Sequence, residues 1–191
     1  MEVELFLNPA QQVRAEFRDP DAPATIAMFA QGRILLDPEG VMQQLVEEAQ
    51  CIWQRGRPGV VPETYAHYFM RYACVDLLKD AQDLLDLDEA AAVWAMYTAL
   101  QSALTAHYQI QRRWPVKPKY QLSDLEQHAP DLALLVRRVL NGQSCIHERF
   151  AALESLVDGV LAPAGGRLHE WRSVPENVAE RASAVGQDVR C

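Results

Sequence analysis

From Val41 to Leu161 the apolar residues of this chain recur every three or four positions, in segments interrupted only by short breaks. That period is helical, and it leaves little chain for anything but packed helices. Val41, Leu45, Ala49 and Ile52/Trp53 make one stripe, ending at Gly56. After the break at Pro58 to Pro62, Tyr65, Phe69, Tyr72, Val75 and Leu78 form the stripe of a long helix. Its later half is acidic outside, with Asp76, Asp80 and Asp83. Asp88-Glu89 opens the next helix, where Val93, Tyr97, Leu100, Leu104 and Tyr108 line up. Its many alanines would let neighbouring helices approach closely. Ser123-Asp-Leu-Glu126 has the pattern of a capping box. Asp131 to Leu140 turns Leu132, Leu135, Val136 and Val139 inward, and Ser144 caps a last long helix carrying Ile146, Phe150, Leu153, Val157 and Val160/Leu161. Short connections favour antiparallel neighbours. The expected fold is therefore mainly α, a helical bundle over residues 38–162, with Trp53, Phe69, Tyr97, Leu104 and Phe150 in its core.

The N-terminal residues read differently. Met1-Glu-Val-Glu-Leu-Phe-Leu-Asn-Pro9 has the pattern of a strand that ends at a helix cap, Asn8-Pro9. A short helix runs to about Phe17 and stops at Asp19-Pro20. A second starts at Pro23, passes Met28 and Phe29, and closes at Gly32. Arg33-Ile-Leu-Leu-Asp37 is the second strand. Two strands make a sheet of marginal stability, so residues 1–37 are expected as a small β-sheet remnant, α+β by strict count, and the chain reads as if it begins in the middle of a fold. An unpaired strand edge invites covering. A homodimer or a protein partner is therefore expected. Beyond Pro163-Ala-Gly-Gly166 the periodicity fades, and residues 163–191 are expected as a tail, partly disordered.

A net charge of −8 leaves no basic face for nucleic acid in bulk, although a single nucleotide needs only a local cationic patch. Cys51, Cys74, Cys145 and Cys191 are too scattered for a zinc site and read as reduced thiols. His147-Glu148 and His169-Glu170 both lack the second histidine of a His-Glu-x-x-His motif, so no metal site is expected. No apolar run approaches the ~18–20 residues that cross a bilayer. The expectation is a cytoplasmic protein that does not enter a membrane.

Two groups of residues are candidates for chemistry. Glu2 and Glu4 lie two apart on the first strand and project from one face. Such a pair suits Mg²⁺ or the activation of a hydroxyl, and alternation alone also places polar residues on a solvent face. The second group is Arg112-Arg-Trp-Pro-Val-Lys-Pro-Lys-Tyr120. Arg112 and Arg113 sit at a helix end, where they complement the helix dipole. Lys117 and Lys119 are flanked by Trp114 and Tyr120, and cations beside aromatic rings suit a phosphate next to a base or sugar.

Several segments together resemble the nucleotidyltransferase superfamily of the kanamycin-nucleotidyltransferase type. Residues 2–9 resemble the strand that carries that family's third carboxylate. Ala30-Gln-Gly-Arg-Ile-Leu-Leu-Asp37 resembles the segment leading into its helical domain, and Trp114-Pro-Val-Lys-Pro-Lys-Tyr120 with Asp124-Leu125 is similar to a lysine-bearing segment of that domain. The resemblance implies Glu4 as the third carboxylate, with Glu2 the alternative, and a substrate-binding role for Lys117, Lys119, Tyr120 and Trp114. The family's Gly-Ser loop and Asp-x-Asp pair are absent from this chain. Without them the metal that neutralises phosphoryl charge has no clamp. The resemblance therefore implies a truncated, non-catalytic homologue, a start assigned too far downstream, or a partner chain that supplies the missing half. Mg²⁺ and a nucleotide are expected only if that half is supplied, and otherwise no cofactor is. The helical part also resembles HEPN domains, which pair with minimal nucleotidyltransferases. Their Arg-x₄₋₆-His motif is too widely spaced here, at Arg138 and His147, which leaves a binding role as an interaction module.

Overall fold

The computed structural model describes residues 5–19 and 23–171. Among them are eight α-helices and no strand. They divide into two compact units, one up to Pro58 and one from Gly59.

The first unit holds α1 (Ala10–Phe17), α2 (Pro23–Gln31) and α3 (Val41–Arg55), with each helix packed on the other two. Val13, Phe17, Ile26, Leu45 and Ala49 are its buried centre. Phe17 meets Phe29 edge to face at 5.5 Å. Polar bonds join the helices at the rim: Thr25 Oγ1 donates to Glu16 Oε2 at 2.6 Å, and Arg14 Nε donates to Glu48 Oε2 at 3.2 Å. Thus α3, expected in the bundle, belongs with the N-terminal helices.

The expected sheet is not found among the described residues. Residues 5–9 and 33–37 are irregular, and Leu5, Leu7, Leu35 and Leu36 are exposed. The reason at 33–37 is local. Asp37 turns back as a cap, its Oδ2 accepting from the Gln43 N–H at 2.8 Å, and Gly40 takes φ 70 just before α3. A chain committed to that turn has no length left to pair as a strand. Residues 1–4 of the proposed first strand lie outside the described residues. Pro9, not Asn8, holds the cap position of α1.

The second unit holds α4 (Tyr65–Leu84), α5 (Glu89–Ile110), α6 (Pro118–His128), α7 (Pro130–Leu140), α8 (Ile146–Leu161) and a 3₁₀ turn at Ala162–Ala164. Helices α4 and α5 form an antiparallel hairpin, α8 packs on both and on α7, and α6 packs on α7. Thr64 Oγ1 accepts from the His67 N–H and caps α4, and Asp88 Oδ1 accepts from the Ala91 N–H and caps α5, the helix that Asp88-Glu89 was expected to open. The core is Leu78, Met96, Leu100, Leu104 and Val136 with Phe150, Leu153, Leu156 and Val157 of α8.

Three local expectations need correction. Phe69 and Tyr97 are 49% and 51% exposed. The seam of α5 is made of Ala92, Ala99, Ala103 and Ala106, all buried, so close helix approach selects the alanine face and swings Tyr97 outward. Ser123 caps nothing. It lies inside α6, which starts at Pro118, where proline's fixed φ suits a first turn, and its hydroxyl donates to Tyr120 O. Ser144 gives the cap position of α8 to Cys145 and accepts from Asn141 Nδ2. Trp53 is half-buried, while Leu104 and Phe150 are buried as expected.

Residues 163–171, expected as the start of the tail, are strapped to α4. Arg71 donates from Nε to Gly166 O at 2.8 Å and from Nη2 to Gly165 O at 2.7 Å. His67 Nε2 lies 2.9 Å from Ala164 O, and Trp171 packs against Tyr65 and Tyr68. Gly165 and Gly166 take φ 96 and 77, a conformation that costs other residues strain and that ends the helical run.

Leu153 has no exposed surface, so Leu153→Ala should cost about 2–5 kcal/mol in denaturant unfolding, against less than about 0.5 kcal/mol for Leu134→Ala at an exposed site. Arg71→Ala removes two charged donors from the strap. Hydrogen exchange at the Gly165 and Gly166 amides should then quicken by about tenfold or more, with α5 and α8 unchanged.

Candidate functional site

Glu2 and Glu4 lie outside the described residues. The other predicted site residues are placed, and the structure divides them. Trp114 is buried. Lys117 occupies the cap position of α6 in extended conformation, without a side-chain cap bond, and is exposed. Lys119, also exposed, sets its Nζ 4.9 Å from the centre of the Tyr120 ring, a cation–π contact. Lys117, Lys119 and Tyr120 therefore share the open first turn of α6, where two ammonium groups add to the positive end of the helix. Of the neighbouring arginines, Arg112 lays its side chain along Gly59 and Arg113 pairs with Asp124.

Asp124 is the centre of a network that sequence reasoning missed. Tyr108 Oη donates to Asp124 Oδ2 at 2.8 Å and Arg113 Nη2 donates to Oδ1 at 2.9 Å. His128 Nδ1 lies 3.5 Å from the same Oδ1 and 2.9 Å from the Asp124 carbonyl. Burial first, and then the hydrogen bond and charge of Asp124, push the Tyr108 phenol well above its usual range. Tyr108 is thus held as a neutral donor. Burial, helped by the Arg113 charge, lowers the neighbouring His107. Both Asp124 oxygens are occupied from within the chain, so this cluster clamps α5 to α6 and offers no free base. The signal was present in sequence only as a helical spacing that put Tyr108 inward and an Asp124 read as part of a capping box.

The first unit contains an apolar hollow of about 460 Å³ lined by Phe6, Val13, Met28, Phe29, Ile34 and Val41, with Arg33 its one charged wall residue. Among the described residues no group of His, Cys, Asp and Glu side chains could hold a metal ion, and no helix is long and apolar enough to cross a membrane.

The most unusual surface is the outer side of the α4–α5 hairpin. From Ala90 to Ile110, α5 carries no Asp, Glu, Lys or Arg. Its outward positions include Trp94, 75% exposed, Tyr97 and Thr98. Thr98 and Thr105 donate their hydroxyls to Trp94 O and Gln101 O, so their hydrogens are spent on their own helix. Asp76, Asp80 and Asp83 of α4 share one exposed face by their i, i+4, i+7 spacing. Cys74 Sγ lies 3.6 Å from Ser102 Oγ, which sets the register of the antiparallel pair, and the three acids lie about half a turn round α4 from Cys74, on the side turned away from α5.

No family model, curated protein or solved structure matches the chain.

The raised phenol carries a pH signature. An unfolded tyrosine ionises near pH 10, while Tyr108 stays protonated in the fold well beyond it. Its contribution is present in full below about pH 10 and is lost as pH rises from there toward the folded value. Tyr108→Phe should lower stability at pH 7 by about 1–2 kcal/mol, since it removes one partner of a part-buried carboxylate, and should flatten the decline above pH 10. Urea midpoints measured from pH 7 to 11 check both. His107 has the opposite sense: lowered by burial, it takes stability away as pH falls below about 6.5, where the unfolded imidazole takes up a proton first.

Proposed function

We propose that this chain works by docking another protein, as a non-catalytic helical interaction module, through the outer surface of the α4–α5 hairpin. The observation that carries this is Trp94. A tryptophan three-quarters exposed, three residues from a half-exposed tyrosine on a helix without charged side chains beyond Glu89, has the composition of an interface core. Trp and Tyr are also the residues in which binding energy concentrates. The Asp124 cluster supports the same reading, because this part-buried carboxylate, with its neighbouring cation and phenol, is engaged in holding helices together.

A second reading keeps the nucleotidyltransferase resemblance: a non-catalytic relative whose helical part binds a nucleotide or acceptor at Lys117 and Lys119. The exposed cations on the first turn of α6, with the Tyr120 ring beside them, favour it. It predicts ATP binding that survives without Mg²⁺ and weakens at least fivefold in Lys117→Ala/Lys119→Ala. Equal affinity in that variant, or no binding, removes it, and magnesium-dependent turnover by the purified chain overturns both readings.

The docking reading is tested with a photo-crosslinking residue placed at position 94 or at the exposed control position 134, in the cells that make the protein. A discrete adduct is expected at 94 only, and it should disappear on Tyr97→Ala. Trp94→Ala and Tyr97→Ala should leave the midpoint of thermal unfolding within about 2 °C, because exposed side chains contribute little to the fold. Identical adduct patterns at 94 and 134 would sink the reading.

A further inference from the structure

We propose that the hollow of the first unit is a binding site for a single-chain aliphatic carboxylate, its chain among the apolar walls and its carboxylate at Arg33. This goes beyond the docking reading and does not depend on it. The hollow is built by α1, α2 and α3 and by the two irregular stretches beside them, residues 5–9 and 33–37. Those stretches do not pair as strands, and each contributes an apolar side chain to the wall instead, Phe6 from one and Ile34 from the other. Phe6 and Met28 line the hollow and are still 65% and 48% exposed, so the three helices leave part of their apolar surface open. At about 460 Å³ the hollow has the size of small-molecule sites, roughly 300–1,000 Å³, which are apolar with a few polar groups that orient the ligand.

The charge of the wall selects the class of ligand. The chain has 26 acidic residues against 18 basic ones, yet among the described residues no carboxylate lines the hollow and Arg33 does. Arg14 of the same unit is paired with Glu48, whereas Arg33 makes no ion pair or side-chain hydrogen bond. Asn8, also on the wall, leaves its side-chain amide unpaired as well. A guanidinium offers a carboxylate two parallel donors, and an amide offers a third. A cationic amphiphile would meet Arg33 with like charge. A nucleotide would bring several charges to one arginine and set polar groups against apolar walls. Size and shape point to a chain. At about 30 Å³ per non-hydrogen atom, a water's share of the liquid, the hollow holds roughly fifteen such atoms, close to a carboxylate of about twelve carbons. Met28 and Met42 on its wall are unbranched and adapt to a flexible chain.

The test uses the full chain and dodecanoate below its micellar range. Calorimetric titration should show saturable binding at one site, at least tenfold tighter than that of dodecyltrimethylammonium, which has the same chain and a cationic head. Butanoate, the head with little chain, should not bind. Arg33→Gln should weaken dodecanoate at least tenfold, and Arg33→Lys, which keeps the charge, should weaken it less. Arg18→Gln removes an exposed arginine of the same unit away from the hollow and should change affinity less than twofold. Arg33 is exposed, so its variants should keep the midpoint of thermal unfolding within about 2 °C. In methionine-methyl spectra Met28 and Met42 should shift on titration, and Met70 and Met96 of the second unit should not. Trp94→Ala should bind dodecanoate as the wild type does. Equal affinity in Arg33→Gln, equal binding of the anionic and cationic chains, or no saturable binding of dodecanoate would overturn the inference. So would loss of binding in Trp94→Ala with Met28 and Met42 unmoved, because the chain would then lie on the docking face. The docking reading stands or falls separately, on the adduct at position 94.

Discussion

The second unit depends on one buried stripe. Leu153, Leu156, Val157 and Leu161 of α8 have no exposed surface and meet α4, α5 and α7 together. At about 25 cal/mol per Å² of apolar surface, each side chain of this kind contributes roughly 1.5–3 kcal/mol. The hairpin of α4 and α5 has its own seam, and on α5 alanines alternate there with Met96, Leu100 and Leu104, which trades some area for closeness. α8 supplies the area. It also fixes which side of the hairpin is inside, and so which side is left to face outward with Trp94 and Tyr97.

Once α8 takes the inner side, the remaining polar contacts are local fastenings. Asp124 with Tyr108 and Arg113 secures α6 against the end of α5. Arg71 and His67 hold the backbone carbonyls after α8 against the start of α4. Each includes an arginine donor, Arg113 on the Asp124 carboxylate and Arg71 on the Gly166 carbonyl, in a part-buried setting where such a bond contributes more than a surface ion pair would. Neither leaves a reactive group free. A fold that spends its buried polar chemistry on fastening has its exposed surface left for function.

Much of this was legible in sequence because helical periodicity survives without tertiary knowledge. The stripes over Leu45 and Ala49, over Val75 and Leu78, and over Phe150 to Leu161 each mark a helix and its inner face. Asp88 marks the start of α5 for the same reason, since a side-chain oxygen within reach of a free N–H is a local event. What was not legible depended on competition between neighbours. Bulk suggested Tyr97 for the core, and the close approach allowed by Ala99 and Ala103 decided otherwise. The apolar run Ile34-Leu-Leu36 suggested a strand, and the turn made by Asp37 and Gly40 took it instead. Of the candidate binding residues, Lys117, Lys119 and Tyr120 share a helix start, while Trp114 went inward, because a residue's neighbours in sequence do not settle which way an irregular segment turns.

The same competition explains why the outward aromatic pair is informative. An exposed Trp on a helix flanked by charged residues would be an ordinary surface position. Beyond Glu89 the outward face of α5 lacks Asp, Glu, Lys and Arg, and its threonines have turned their hydroxyls to their own backbone. Helix stability does not call for that, because glutamate or lysine at those positions would be at least as good a helix former. Nor does packing call for it, because Trp94 and Tyr97 are exposed within the fold. A helix whose solvent side carries no charge past its first residue gives up solubility with no gain inside the fold. Exposed aromatic surface on a helix face free of charge is the arrangement expected where something else is to be bound.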